Sequence, residues 1–211
     1  MFRKTDTVIY RSITDAIGCY FISCVAVYVS TRQKIMNVRE NTALKFDRDT
    51  DDLTGLPNRR SFNVAFENYV KGRSGKILSG CIMMDIDDFK MYNDLYGHIE
   101  GDNCLIKIGD CLQLISKKYN IMIARYGGEE FCGIITFINL EDIQKIAQDI
   151  LTSIEELKIP FASKACKRKY VTLSIGVATS NFDDTAMDVL NKADQALYKS
   201  KANGKDCITT L

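Results

Sequence analysis

Short apolar runs alternate with amphipathic stretches along most of the chain, as expected for a domain that contains both strands and helices. Runs rich in β-branched and aromatic residues predict strands over residues 77–86, 121–124, 131–137 and 170–179, with a short edge strand over 207–210. The run at 77–86 is apolar almost throughout, which is typical of a central strand covered on both faces. The run at 170–179 instead alternates between apolar and polar residues.

Apolar residues that recur every three or four positions predict the helices. These helices cover residues 60–70, 89–95, 103–119, 140–157 and 184–202. Residues 158–169 contain Pro160 and a basic cluster and are predicted to form a solvated loop, while Gly204 is expected to end the last helix. The alternation of helices and strands predicts an α/β (α+β) domain.

Residues 1–45 differ in composition from the rest of the chain. Within them, residues 16–31 are uncharged, and this run approaches the roughly 20 apolar residues that a membrane-spanning helix needs. Arg32, Lys34 and Arg39 follow the run and favour a cytoplasmic position for what comes next. The alternative is a buried or dimer-forming helix of a soluble sensor. We therefore predict a hydrophobic helix and a helical linker over residues 1–45, followed by one domain over residues 46–211.

The composition excludes several classes of protein. The net charge of +1 over 211 residues gives no argument for nucleic acid as a partner. Eight cysteines without a Cys-x-x-Cys pair, together with a single histidine, argue against a structural zinc site and against a disulfide scaffold. The main domain is therefore predicted to work in a reducing, cytoplasmic environment. The lone histidine, His98, is predicted to be structural rather than catalytic.

Three acids follow the predicted central strand, at Asp85, Asp87 and Asp88. Uncompensated charge at the end of a buried strand is costly, and carboxylates in such a place commonly bind a cation. Asp88 has an alternative explanation, because it can cap a helix that begins at residue 89. That alternative leaves Asp85 without a role.

Two glycines, Gly127 and Gly128, separate two predicted strands and favour a tight hairpin with positive φ. Glu129 and Glu130 follow directly, and adjacent strand residues point to opposite faces, so we expect the two carboxylates to have different roles. An ordinary solvated hairpin tip is the alternative.

Together these features favour metal-assisted phosphoryl or nucleotidyl transfer. Carboxylates from two strands, Asp85 and Glu129, suit a hard ion such as Mg²⁺. Lys201 and Lys205 can bind phosphates as point charges, and backbone amides at the start of the helix at residue 89 can bind phosphate oxygens. The sequence contains no phosphate-binding P-loop motif.

Six motifs then occur in a fixed order. They are DDLTGLPNRR from Asp51, DIDDFKMYND from Asp85, GHIEGD from Gly97, RYGGEEF from Arg125, SIGV from Ser174 and ADQALYKSK from Ala193. In this order they resemble the GGDEF domain of diguanylate cyclases, in its GGEEF variant, over about residues 46–211. The resemblance implies a palm-like fold akin to nucleotidyl cyclases, with a mixed or antiparallel central sheet wrapped by helices. It also implies condensation of two GTP into cyclic di-GMP with release of pyrophosphate.

The same resemblance implies roles for the acids. Asp85 and Glu129, with the Ile86 carbonyl, would hold Mg²⁺, with Mn²⁺ as an alternative ion. Glu129 would also help to deprotonate the ribose 3′-hydroxyl, and the role of Glu130 stays open.

Further residues would bind GTP by the same resemblance. Asn93 and Asp102 would read the guanine edge, while Gly127 and Gly128 would admit the nucleotide against bare backbone. The remaining contacts, to the phosphates, would come from the Phe89 and Lys90 amides and from Lys201 and Lys205.

Two GTP sites must face each other for this reaction, so a C₂ homodimer is expected. The N-terminal segment would control the dimer and would tether a cytoplasmic domain to the inner face of the membrane if it spans one. A non-catalytic sensor of GTP or cyclic di-GMP with the same fold, and a cyclase that uses ATP, are the alternatives.

Two positions depart from the family pattern. Lys118 and Ile121 stand where many members have an Arg-x-x-Asp inhibitory site for the product, so no strong product inhibition is expected there. Lys205 and Asp206 stand where Arg-Asn is more common, and Lys lacks the bidentate fork of Arg.

Overall fold

The structure is a computed structural model that describes residues 25–36, 49–71, 78–137, 140–162, 169–181 and 183–211. The chain divides into two units, Met1–Arg48 and Asp49–Leu211. In the first unit, residues 25–36 form helix α1, and their side chains are exposed. Residues 16–24 of the predicted hydrophobic run lie outside the described residues, so the membrane-spanning helix stays a prediction, as does the domain boundary at residue 45.

None of the helices in the described ranges combines the length and the apolar character that crossing a membrane requires.

The second unit contains five helices and five strands within the described ranges. The helices are α2 Arg59–Lys71, α3 Phe89–Tyr96, α4 His98–Tyr119, α5 Leu140–Glu156 and α6 Ala186–Ala202. The strands are β1 Leu78–Ile86, β2 Met122–Arg125, β3 Glu130–Phe137, β4 Leu173–Thr179 and β5 Ile208–Thr210. Each predicted strand therefore has a counterpart in the sheet.

Strand β1 lies in the middle of a sheet with the order β2-β3-β1-β4-β5. It pairs antiparallel with β3 and with β4, whereas β4 and β5 are parallel. The predicted mixed sheet wrapped by helices is confirmed.

The side chains of β1 alternate between two apolar cores, one on each face of the sheet. Ile82 and Met84 belong to the core that contains residues of α3, α4 and α5. Cys81 and Met83 belong to the core that contains residues of α2 and α6. This two-sided burial confirms the prediction of a covered central strand and places the end of β1 between the two layers of helices.

Two predictions about elements were wrong in detail. Helix α4 begins at His98 rather than at residue 103, because the chain turns at Gly97, with φ of 85°, and becomes helical at once. His98 is exposed at the first position of α4, and its structural role stays a prediction. The predicted solvated loop after α5 buries both Ile159 and Phe161 in the core.

Strand β4 is buried on both faces along almost all of its length, although its sequence alternates. The polar residue Ser174 is fully buried because its hydroxyl donates a hydrogen bond to the carboxylate of Asp87. Ser174 therefore faces a buried acid rather than solvent.

Helix α6 crosses β4 in close contact at Gly176. A Cβ at this position would lie 2.1 Å from the Leu197 amide nitrogen and 2.2 Å from the Ala193 carbonyl oxygen. Only glycine allows this approach, which fixes the height of α6 above the sheet.

We therefore expect Gly176→Ala to lower the free energy of unfolding by about 3 kcal/mol or more, because the backbone of α6 must move away from the sheet. Urea denaturation would measure this loss. Gly133→Ala on β3 is the matched control: its nearest neighbours would be 3.7 Å from the new Cβ, so its stability should stay within about 1 kcal/mol of wild type. Equal effects of the two substitutions would contradict the packing described here.

Candidate active site

The end of β1 places Asp85 beside the β2–β3 hairpin. Asp85 is only 6% exposed and lies opposite Glu130 on β3 and Ser174 on β4. The amide of the next residue, Ile86, donates a hydrogen bond of 3.3 Å to the carbonyl oxygen of Glu129. The antiparallel register therefore brings Asp85 together with both glutamates of the hairpin.

The Asp85 carboxylate forms an ion pair with Lys201 of α6, with 2.8 Å between Oδ2 and Nζ. Burial raises the pKa of Asp85 to about 6, Lys201 acts to lower it, and the carboxylates of Glu129 and Glu130 raise it further. A single lysine thus offsets only part of the negative charge at this point.

The oxygen donors at this end of β1 fit a hard divalent ion that keeps part of its hydration shell. Nowhere in the described ranges do three His, Cys, Asp or Glu side chains group as a metal site. Two carboxylates, from Asp85 and Glu129, and the backbone carbonyl of Ile86 would leave the other positions of an octahedral ion to water and phosphate oxygens, as Mg²⁺ prefers. The ammonium group of Lys201 on Asp85 shows that positive charge is accommodated there.

The hairpin itself uses its glycines differently from the prediction. Positive φ among the described glycines occurs at Gly55, Gly97 and Gly204, and so not at Gly127 or Gly128.

Space explains Gly127 instead. A Cβ on Gly127 would lie 2.3 Å from Oε2 of Glu130, so this glycine makes room for that carboxylate. A Cβ on Gly128 would meet nothing within 4 Å, because the residue borders open space. The backbone of the hairpin is thus accessible from the side of Gly128.

Arg125 fixes the hairpin to the loop that precedes α2, a role the sequence analysis missed. Its Nη1 lies 3.0 Å from Oδ1 of Asp51, while its Nε and Nη2 donate to the Gly128 carbonyl oxygen at 3.2 and 2.7 Å. Thr54 donates two further hydrogen bonds to the same carboxylate. Asp51 and Arg125 are 74 residues apart in sequence, so no local signal in the sequence indicated the pair.

The start of α3 offers backbone amides and a second lysine. Asp88 occupies the N-cap position with φ of 57°, but its side chain makes no capping hydrogen bond, so capping does not explain this acid. Its carboxylate instead binds Lys205, with 2.5 Å between Oδ1 and Nζ. The amides of Phe89 and Lys90 lie in the first turn, where no intrahelical acceptor exists. Lysine and amides therefore share one end of the helix.

A buried acceptor lies between α3 and α4. Oδ1 of Asn93 is buried and has no hydrogen-bond partner within the described part of the chain. A Cβ on Gly101 of α4 would lie only 1.8 Å from this oxygen, so glycine is needed for the close approach. The next residue, Asp102, is exposed. The two predicted guanine-binding residues thus lie on adjoining elements, and one of them lacks a donor that a ligand could supply.

Lys118 and Ile121, at the position of the family's inhibitory motif, are already engaged within the chain. Nζ of Lys118 lies 2.9 Å from Oδ2 of Asp149, and the Tyr119 hydroxyl donates to the same oxygen. These hydrogen bonds, from Tyr119 and Lys118, hold the pKa of Asp149 below its ordinary value. Ile121 is buried.

Comparison with solved structures identifies the fold. The crystal structure of the coiled coil and GGDEF domain of DgcB from Caulobacter crescentus, in complex with c-di-GMP, superposes with a TM-score of 0.76 at 24% identity and covers 90% of this chain and 100% of that chain. At this identity the likeness shows the fold alone.

The family follows from the sequence match. Residues 48–207 match the family model described as diguanylate cyclase, GGDEF domain, and the chain belongs to this family. It is 38% identical over 166 residues to diguanylate cyclase A of Treponema denticola, covering 76% of this chain and 43% of that protein. It is 32% identical over 180 residues to the diguanylate cyclase VdcA of Vibrio cholerae, covering 84% and 52%. The chain thus spans about half the length of these relatives.

The bridge between Asp51 and Arg125 gives a prediction about pH. Burial acts to raise the pKa of Asp51, but hydrogen bonds from Thr54 and Arg125 outweigh it and lower the pKa below 3.8. A carboxyl with a lowered pKa stabilises the fold above the unfolded-state value, and this contribution is lost as the pH falls through the folded-state value. We expect Asp51→Asn to cost about 1–2 kcal/mol at pH 7 and much less near pH 3.

Urea denaturation at the two pH values would measure the difference. Asp52→Asn, at the exposed neighbouring position, is the control and should change stability little at either pH. A loss for Asp51→Asn that is equally large at both pH values would contradict the ion pair as its cause.

Proposed function

We propose that the domain is a diguanylate cyclase that condenses two GTP into cyclic di-GMP and pyrophosphate. The observation that carries the proposal is the meeting of Asp85 with the hairpin acids beside Lys201. This arrangement suits binding of a metal-bound triphosphate. Membership of the diguanylate cyclase family agrees with it.

Asp85, Glu129 and the Ile86 carbonyl would hold Mg²⁺ or Mn²⁺, which would neutralise phosphate charge and make the attacking hydroxyl more acidic. Lys201 forms an ion pair with Asp85 in the structure. If Asp85 held a divalent ion, Lys201 would be available to the triphosphate. In the same way Lys205 can exchange Asp88 for a phosphate oxygen.

The reaction joins the ribose 3′-oxygen of one GTP to the α-phosphorus of the other. Glu129 accepts the proton of the attacking hydroxyl as the new O–P bond forms. The bond to the pyrophosphate group breaks on the opposite side, and Lys201 and Lys205 balance the charge that develops on the leaving group. The Phe89 and Lys90 amides hold phosphate oxygens at the start of α3. A second turn of the same chemistry closes the ring.

Asn93 and Asp102 select guanine by complementary hydrogen bonding. Guanine offers N1–H and N2–H donors, which suit the carboxylate of Asp102 and the buried Oδ1 of Asn93. Adenine presents an acceptor at N1, which a carboxylate repels. GTP is therefore favoured over ATP.

Each domain would hold one GTP, so the reaction needs two domains face to face, as in a C₂ homodimer. The segment before residue 49 would set the geometry of this dimer. The exposed apolar residues of α1, such as Val27 and Tyr28, are compatible with a role in pairing. We place the reaction in the cytoplasm, where GTP is available, and keep the membrane tether through residues 16–31 as part of this proposal.

Turnover of labelled GTP with Mg²⁺ tests the proposed activity. We expect cyclic di-GMP from GTP and no product from ATP, and we expect Glu129→Ala to lower the rate by roughly a hundredfold or more. Glu141→Ala, at an exposed acid on α5, is the control and should keep the rate. If the wild type binds GTP without turning it over, the domain is a sensor. A rate for Glu129→Ala within a few-fold of wild type would refute the assignment of the metal ligands.

The ion pair of Lys118 with Asp149 predicts weak product inhibition. A lysine that is already paired with a carboxylate is a poor ligand for the phosphates of cyclic di-GMP, and Ile121 cannot accept a hydrogen bond. We expect initial rates at saturating GTP to fall little when cyclic di-GMP is added, and Lys118→Ala should leave this response unchanged. Strong noncompetitive inhibition that Lys118→Ala abolishes would show the opposite.

A further inference from the structure

One buried acid takes no part in the chemistry proposed above. Asp87 directly follows β1 and is only 3% exposed. Its Oδ1 accepts a hydrogen bond from the Ser174 hydroxyl at 2.6 Å, and its Oδ2 accepts one from the Thr172 hydroxyl at 2.7 Å. Oδ2 also accepts a hydrogen bond of 3.0 Å from the backbone amide of Asp206. The carboxylate thus joins β1 to β4 and to the turn before β5.

This turn has an unusual backbone. Three consecutive residues have positive φ: 110° at Gly204, 65° at Lys205 and 52° at Asp206. Residues with a Cβ rarely adopt a positive φ. Two such residues in a row need contacts from other parts of the chain to keep this backbone conformation. The contact from Asp206 to Asp87 is one of them. A hydrogen bond of 3.1 Å from the Lys205 amide to the Ser200 carbonyl oxygen is another.

The turn also carries a side chain of the proposed phosphate site. Lys205 reaches back to Asp88 at the start of α3. Asp87 therefore binds Asp206, and the adjacent acid Asp88 binds the adjacent residue Lys205. Only the second of these contacts has to open when a phosphate binds.

We propose that Asp87 is a positioning residue for the triphosphate: it holds the turn of residues 204–206 in its strained conformation, so that Lys205 faces the start of α3. The inference rests on the proposed function, because it assigns Lys205 to phosphate binding. If Asp87 only joined β1 to β4, its substitution would weaken the binding of every ligand of the site alike. If Asp87 positions Lys205, its substitution weakens the binding of the triphosphate group selectively.

The test measures displacement of a fluorescent GTP analogue from the full chain by GTP and by guanosine. We expect Asp87→Ala to lower the affinity for GTP by about tenfold and the affinity for guanosine by less than about twofold. Asp87→Asn should recover most of the GTP affinity, since the carboxamide oxygen can still accept from the Asp206 amide and the hydroxyls of Thr172 and Ser174 can reorient. In a Lys205→Ala background, Asp87→Ala should lower the affinity for GTP by less than about twofold further.

Two further variants guard against a general loss of folding. Ser174→Ala removes one anchor of the same carboxylate and should give the same selectivity with a smaller effect. Ser116→Ala removes a hydrogen bond of 2.6 Å to the Ile121 carbonyl oxygen, far along the chain from the turn, and should leave both affinities unchanged. These variants keep the test decisive if Asp87→Ala does not fold.

Equal losses for GTP and guanosine would overturn the inference, and so would multiplicative losses for Asp87→Ala and Lys205→Ala. A wild-type protein that binds GTP selectively but does not turn it over would contradict the cyclase proposal. The role of Asp87 would still be supported by the same binding data. A wild-type protein that binds GTP no better than guanosine would overturn both.

Discussion

The pairing of β1 with β3 on one side and β4 on the other determines where the acids of the candidate active site lie. A strand buried on both faces can carry charge only at its end, where other groups can neutralise it. Here Asp85, Asp87 and Asp88 follow one another closely, and each has a different partner: Lys201, a set of hydroxyl and amide donors, and Lys205. Each acid thus has a partner within the chain, and two of these partners are lysines.

Helix α6 and the turn that follows it supply both lysines, so their position decides the electrostatics of the site. The contact of α6 with Gly176 fixes the helix against β4. Beyond the helix, β5 pairs parallel with β4 and fixes the far side of the turn. Lys201 and Lys205 are therefore held from two directions by the same strand, although they are separated from it by more than twenty residues of sequence.

The regular elements could be predicted because their signals are local. The apolar run before Asp85 identified the central strand, and the two glycines at 127–128 identified a hairpin. The start of α4 was missed, because the glycines of the GHIEGD motif are typical of loops, whereas Gly101 here allows Asn93 to approach the helix. The bridge from Asp51 to Arg125 and the burial of Ser174 could not be predicted, since each depends on a partner that only the fold brings near.

The buried oxygen of Asn93 has an energetic consequence for the free protein. A buried acceptor without a donor costs the folded state about 1–3 kcal/mol, and Oδ1 of Asn93 has no donor within the described part of the chain. A ligand that donates to this oxygen removes the cost and, by binding only the folded state, shifts the unfolding equilibrium further in its favour. Thermal melting in the presence of nucleobases would then rank them by the donors they present, independently of turnover.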